Sequence, residues 1–474
     1  KPTDEAKKDP ERYPLDTEKA PVVTKHTLGG MEYEATVGML PLKDEFGETE
    51  AGIFFIAYTK PGADAENRPL MFSFNGGPGS SSVWLHLGTI GPKRVKMEPG
   101  GFLPEPPYQL IDNPQSWLEH CDLVFIDPVG TGFSRPGKKD GGKKYWSLEG
   151  DVASVGEFIR LYVSRYHRWR SPLYLVGESY GTTRASGLAG DLISKGIAFK
   201  GIVLVSSILN FQTTRFSKGN DLPCSLFLPT YTATAWYHGK LPWAKSLPEA
   251  LKESEDYAAK DYVLTLAKGD TLTDGERKAA IKKLSRLTGL SPEYVDATDL
   301  RINIHRFCKE LLRSEKRTVG RIDSRYKGID HLATSEATEH DPSISSTLPP
   351  YTAMINDHLR RTLGYETDAP YYVFNPGELW KNWTYGDSAQ GFPDTSEALR
   401  AAMSKNPYMK VFIASGYYDL ATPYFATEYT LSHMGLDPSL RGNITTGYYD
   451  AGHMMYVEEN SLEKLKRDIE KFMA

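Results

Sequence analysis

Apolar, β-rich runs recur along this chain with helical stretches between them: GIFFIAYT, LMFSFNG, CDLVFIDP, PLYLVGES, GIVLVSS, MKVFIASG and NITTGYYDAGH. A strand that is apolar on nearly every residue has no face left for water. Both of its faces must be covered, and the helical stretches supply the cover. The pattern predicts an α/β protein with a mostly parallel central sheet flanked by helices. Residues 151–169 fit the covering role, because Val152, Val155, Ile159, Tyr162, Val163 and Tyr166 recur at three-four spacing along one helix face. The chain closes on ENSLEKLKRDIEKFM, with Asn460 as the expected cap and Leu462, Leu465, Ile469 and Phe472 as the buried stripe.

Between 213 and 369 the rhythm breaks. The segment is charged and helical in pattern, then passes through HDPSISSTLPPY, which reads as a loop. A helical block inserted between sheet strands predicts a cap over the sheet's carboxyl edge, where open α/β sheets bind ligands. The expected organisation is a charged, proline-rich tail over 1–22, a core of 23–212 and 370–474, and a helical cap insertion over 213–369. A net charge of −5 with no long basic stripe argues against nucleic acid or an anionic membrane as a partner. No apolar run reaches the roughly 18 residues of a membrane span. Cys121 opens CDLVFID and reads as a buried thiol, whereas Cys224 and Cys308 either pair or stay free. No zinc motif, Walker loop or dinucleotide fingerprint occurs, so neither metal nor cofactor is expected. Asn382-Trp383-Thr384 and Asn443-Ile444-Thr445 match the glycosylation acceptor pattern.

The candidate chemistry centres on LVGESYGTTR, residues 175–184. The pattern Gly177-x-Ser179-x-Gly181 is short enough to arise by chance, but its context is specific. PLYLV supplies a buried strand before it, and TTRASGLAGDLI continues at helical spacing. A serine hydroxyl needs a base within reach and an acid to orient that base. On α/β-hydrolase frameworks the three arrive in the order serine, acid, histidine, each at a strand's carboxyl end. KVFIASGYYDLATP ends a strand with Asp419, and GYYDAGHMMYVEEN ends the next with His453. Asp419 alone would read as a turn cap, and His453, one of 11 histidines, as a core residue. Asp450 is a rival acid, but it sits within the histidine's own loop. The joint order at strand ends favours Ser179, Asp419 and His453. Oxyanion donors are expected from the N–H of Tyr180 and from the loop FSFNGGPGSSS, through Gly76 and Gly77.

FNGGPGSSS, IDPVGTGFS, GESYG, GYYDLATP and AGHMMYVEEN resemble the signature stretches of the serine carboxypeptidases, peptidase family S10, across residues 30–474. The resemblance implies an α/β-hydrolase fold with a helical insertion, and release of C-terminal amino acids from peptides through an acyl-enzyme. It makes Ser179 the nucleophile, His453 the base and Asp419 its orienter. Gly77 and Tyr180 become the oxyanion donors, and Asn75 and Glu178 the grip on the substrate's terminal carboxylate. A glutamate beside a bound carboxylate shares a proton with it, which favours acidic conditions. The family also implies an exported protein, periplasmic, secreted or vacuolar. Three positions depart from the family pattern: Ser73 stands where it has tryptophan, Thr89 where it has glutamate, and Ser80 where cysteine is common. These departures leave esterase, acyltransferase and endo-acting peptidase activities open on the same three residues.

Overall fold

The computed structural model describes residues 15–138, 141–375, 377–386 and 391–474. They form two compact units, one built from residues 15–94, 110–201 and 352–386, the other from 95–109, 202–351 and 391–474.

In the first unit the strands of the sheet include β1 (Val22–Leu28), β2 (Met31–Lys43), β3 (Thr49–Thr59), β4 (Leu70–Phe74), β5 (Asp122–Ile126) and β6 (Leu173–Glu178), side by side in the order β1-β2-β3-β5-β4-β6. The pairs β1/β2, β2/β3 and β3/β5 are antiparallel, and β4 runs parallel to both β5 and β6. Every residue of β4, β5 and β6 is buried, as their continuous apolar sequences require. β1 is absent from the apolar runs because its sequence, VVTKHTL, alternates half-buried and exposed side chains. What fixes that hairpin is the pair Gly29-Gly30, both at positive φ (56° and 85°), joining Leu28 to its partner Met31. Of the expected tail, residues 15–22 carry a short turn over Asp16–Glu18 and the first residue of β1, while 1–14 lie outside the described residues.

Two helices follow from the expected amphipathic segments. α1 (Leu148–Arg165) starts earlier than the apolar spacing suggests, because the Ser147 hydroxyl accepts the N–H of Gly150 at 3.0 Å and caps it. Its Tyr162 packs edge-on against Phe55 and Phe72, each ring centroid 5.6 Å away. α2 (Tyr180–Ser194) leaves the end of β6 directly.

The same unit buries a chain of polar rings. The Tyr58 hydroxyl bonds His86 Nε2 at 2.7 Å and His358 Nε2 at 3.0 Å. His358 Nδ1 has no partner among the described residues. Burial pushes His358 down from 6.5 to about 3, and burial together with the neighbouring His358 takes His86 well below its ordinary value. Both rings are therefore neutral when folded and take up protons on unfolding below pH 6.5. Their contribution is complete above 6.5 and is lost as the pH falls toward about 3. Urea unfolding should accordingly show stability falling with acidification by up to about 1.4 kcal/mol per pH unit for each ring. His358→Leu, which leaves Tyr58 its bond to His86, should make that slope shallower; an unchanged slope would assign the acid sensitivity elsewhere.

The second unit has β7 (Gly201–Val205), β8 (Lys410–Gly416) and β9 (Ile444–Tyr449), neighbours in that order, with β8 and β9 parallel from Val411 opposite Ile444 to Gly416 opposite Tyr449. Its helices include α3 (Leu222–Tyr237), α4 (Leu247–Tyr257), α5 (Asp274–Thr288), α7 (Tyr424–His433) and α8 (Glu459–Met473), and α6 (Pro342–Asp357) begins in it. α5 shows how locally these helices are specified. A Thr273/Glu276 capping box starts it and Gly289, at φ 69°, stops it. Phe227 and Tyr231 of α3 share a core with Leu284 and Leu287 of α5 and with Phe307, whose ring stacks on Tyr231 at 4.1 Å.

Two expectations are corrected here. HDPSISSTLPPY is not a loop, since its residues from Pro342 onward open α6. Asp341 Oδ1 accepts the N–H of Ser343 at 3.0 Å, and Pro342 occupies the first turn, where no N–H is needed. α8 is capped by Glu458 rather than Asn460. The Glu458 carboxylate accepts the N–H groups of Asn460 and Ser461 at 3.1 and 2.7 Å, placing its charge at the helix's positive end. Of the two states left open for Cys224 and Cys308 the structure has the unpaired one: both are free, buried thiols in the α3/α5 core, and burial raises both. Among the described residues no helix is long and apolar enough to cross a membrane.

Candidate active site

β6 passes into α2 through Ser179, whose φ of 59° and ψ of −130° lie where a side chain is strained. The turn closes only because its neighbours lack side chains. A Cβ on Gly177 would stand 2.1 Å from the carbonyl oxygen of Gly181, and one on Gly76 would stand 2.5 Å from the Tyr180 nitrogen. The second contact brings the loop after β4 against the first amide of α2, so Gly76, Gly77 and Tyr180 share one small region of the first unit. Tyr180 is the first residue of a 15-residue helix, where unbonded N–H groups and the helix dipole favour negative charge. Ser80 N–H to Gly76 O at 3.0 Å and Ser82 N–H to Asp127 Oδ1 at 2.8 Å hold the loop.

Asn75 and Glu178 flank this region. Asn75 Oδ1 accepts the N–H of Leu85 at 3.0 Å, while its Nδ2 is buried without a partner among the described residues. Glu178 ends β6 and is buried. The hydroxyls of Ser73 and Thr89 are likewise buried and unpartnered among the described residues. Ser80 Oγ is engaged, donating to Ser81 O at 3.0 Å and accepting Trp84 Nε1 at 2.9 Å.

Asp419 and His453 meet within the second unit. His453 Nδ1 donates to Asp419 Oδ2 at 2.7 Å, which fixes the proton on Nδ1 and leaves Nε2 as the basic nitrogen. Asp419 is fully buried, and besides His453 its carboxylate accepts the N–H groups of Ala421 (2.8 Å) and Thr422 (3.0 Å) and the Thr422 hydroxyl (2.8 Å). The loop bearing His453 is pinned at several points. His453 N–H donates to Ile322 O at 2.8 Å, Ser206 Oγ donates to His453 O at 2.6 Å, and Gly452 N–H donates to Asp323 Oδ2 at 3.0 Å. Asp450 is exposed, and the bond to Nδ1 goes to Asp419.

Supporting groups that the sequence reading did not single out now come into view. Arg184 of α2 bonds Asp151 of α1 at 2.7 Å and the carbonyl of Asn75 at 2.7 Å, and the Tyr180 hydroxyl donates to the same carboxylate at 2.9 Å. Asp323, held by Arg325 at 2.6 Å, anchors the His453 loop.

A strained serine between a parallel strand and a helix, with glycines packed round it, belongs to the α/β-hydrolase fold, a framework of serine hydrolases. The chain belongs to the serine carboxypeptidase family, whose pattern it matches over residues 38–462. Relatives include Serine carboxypeptidase-like 5 of Arabidopsis thaliana, 30% identical over 155 residues covering 32% of this chain and 33% of that one. Serine carboxypeptidase-like 8 of the same plant is 32% identical over 174 residues, covering 35% and 37%. The matched stretch thus spans about a third of these relatives' length. Among solved structures, a proline iminopeptidase of Mycobacterium smegmatis aligns over 95% of this chain and 97% of its own at 12% identity, with a TM-score of 0.36. A highly thermostable carboxyl esterase from Bacillus coagulans aligns over 92% and 99% at 12% identity, also with a TM-score of 0.36.

Proposed function

We propose that the protein is a serine-type carboxypeptidase that releases the C-terminal amino acid of a peptide through an acyl-enzyme on Ser179. The observation that carries this reading is the elbow at Ser179, a strained conformation maintained by glycines in a chain of this family. Ser179 Oγ attacks the scissile carbonyl as its proton passes to His453 Nε2, and Asp419 stabilises the imidazolium through Nδ1. The N–H groups of Gly77 and Tyr180 receive the oxyanion. The imidazolium then protonates the departing amine, and water, deprotonated by the same ring, hydrolyses the ester. Asn75 Nδ2, an unpartnered buried donor, and Glu178 hold the substrate's terminal carboxylate; sharing a proton between that carboxylate and Glu178 favours acidic pH. In this reading residues 213–369 act as the cap that selects substrate side chains, and the protein works after export.

The buried, unpartnered hydroxyls of Ser73 and Thr89 favour a second reading, in which the carboxylate grip is weaker and esters or internal peptide bonds are also cleaved. One assay separates the two. Blocked dipeptides with free and with amidated C-termini are incubated from about pH 4 to about pH 8 and amino-acid release is followed. Carboxypeptidase action predicts turnover of the free acid, fastest at the acidic end, and little of the amide. Equal turnover of both would overturn it.

A further inference from the structure

The second unit contains a cavity of about 1210 Å³ that the reaction above leaves unused. Its walls are α4, α7, the turn after β8 and the end of β9. Three tyrosine rings form a box within it. Tyr417 and Tyr448 stack with centroids 5.7 Å apart and planes 11° from parallel, and Tyr424 stands edge-on to them at 5.4 and 5.9 Å. The carboxylates of Glu255 and Glu428 face the same space, each held by one of these rings: the Tyr424 hydroxyl donates to Glu255 Oε1 at 2.6 Å, and the Tyr448 hydroxyl donates to Glu428 Oε1. Asp450 adds a third carboxylate.

None of these three acids forms an ion pair among the described residues. The lysines at the rim do not supply one: Lys245 and Lys252 are exposed, and Lys252 is tied to Asp256 at 2.8 Å. Burial holds the Glu428 carboxyl above its ordinary range, the Tyr448 hydroxyl opposes that, and the charge of Glu255 adds to it. Like charges directed into one aromatic-walled space leave a position that a cation would stabilise twice, through the carboxylates and through the ring faces.

We propose that this cavity binds the cationic side chain of a basic residue, arginine or lysine, in a peptide substrate. The choice of a peptide as carrier rests on the peptidase reading; the preference for a cation rests on the cavity itself. Its placement suits a substrate subsite, since Tyr417 and Tyr418 immediately precede Asp419, and Asp450 shares the loop of His453. A guanidinium fits better than an aliphatic chain of the same length because only the former gives the carboxylates a partner.

The test uses the full chain carrying Ser179→Ala, so that binding is measured without turnover. Calorimetric titrations compare two blocked tetrapeptides with free C-termini, identical except for arginine or norleucine. The arginine peptide should bind about tenfold tighter. Glu255→Gln with Glu428→Gln, which keeps both tyrosine hydrogen bonds possible, should remove that difference while leaving norleucine binding and the melting temperature unchanged. Equal affinities, or a preference that survives the double substitution, would overturn the proposal. The two readings fail separately. Preferential binding with no hydrolysis of either peptide by the unsubstituted protein would refute the peptidase and keep the cation site. Hydrolysis of both at equal rates, with equal affinities, would do the reverse.

Discussion

Replacing Ser179 by alanine is expected to lower turnover of a blocked dipeptide by about 10⁶-fold, with little change in KM. The size of the effect follows from what remains. In the proposed mechanism, loss of Oγ leaves no nucleophile to receive the acyl group, while the proposed contacts from the Tyr180 and Gly77 amides and from Asn75 are kept. Residual rate is then limited to what these donors do for a water molecule, about 10³ to 10⁴ over the uncatalysed reaction. His453→Ala should be nearly as damaging alone, and the double variant no worse than either single one, because in the proposed mechanism the three groups serve one proton transfer. Asp419→Asn should leave the loop in place yet lower turnover by about 10⁴, since an amide bonded at Nδ1 favours the wrong tautomer. Alanine also suits the strained φ of 59° better than a bulkier residue, so the variant should melt near the parent temperature. Activity of Ser179→Ala within tenfold of the parent would refute the nucleophile assignment.

What the chain revealed in advance, and what it concealed, divide along one physical line: interactions set by neighbours in sequence against those set by topology. β4, β5 and β6 were legible because burial on both faces leaves a continuous apolar run. β1 was not, because its alternating residues look like many polar segments until Gly29-Gly30 folds it back on β2. HDPSISSTLPPY misled through composition, since serine, threonine and proline are common in loops; its actual start signal was Asp341 followed by proline at the first helical turn. At the site, the order of Asp419 and His453 at successive strand ends was legible in the sequence, and the structure joins these two side chains by a 2.7 Å bond. Asp323 could not be read, because nothing near it in sequence indicates that the histidine's loop will rest on its carboxylate. The same holds for Asp151 and Arg184, which meet only once two helices pack together.

That buried pair supports the second large expectation. Arg184→Leu should destabilise the protein by about 3–5 kcal/mol at neutral pH, because it leaves Asp151 charged, buried and short of its cation. Asp151 is 3% exposed, and among the described residues its only other side-chain bond is the one from the Tyr180 hydroxyl. In the parent protein burial already raises the Asp151 carboxyl above 3.8, with Arg184 pulling it back; the variant loses that opposing influence. A group whose pKa is raised on folding is most favourable below its unfolded value and becomes a penalty as pH rises, so the variant's deficit should be larger near pH 7 than near pH 5. Urea unfolding of both proteins at the two pH values checks this. The acid sensitivity from His86 and His358 is common to both and cancels in the difference. Adding Asp151→Asn should recover part of the loss, since a neutral amide can be buried with the Tyr180 hydroxyl as partner. Activity should fall more than stability alone explains. The same guanidinium holds the Asn75 carbonyl at 2.7 Å, and with it the loop that carries Gly76 and Gly77 toward Tyr180. A deficit relative to the parent that is the same at pH 7 as at pH 5, in a variant as active as the parent once folded, would show that the ion pair neither fixes the loop nor bears the charge.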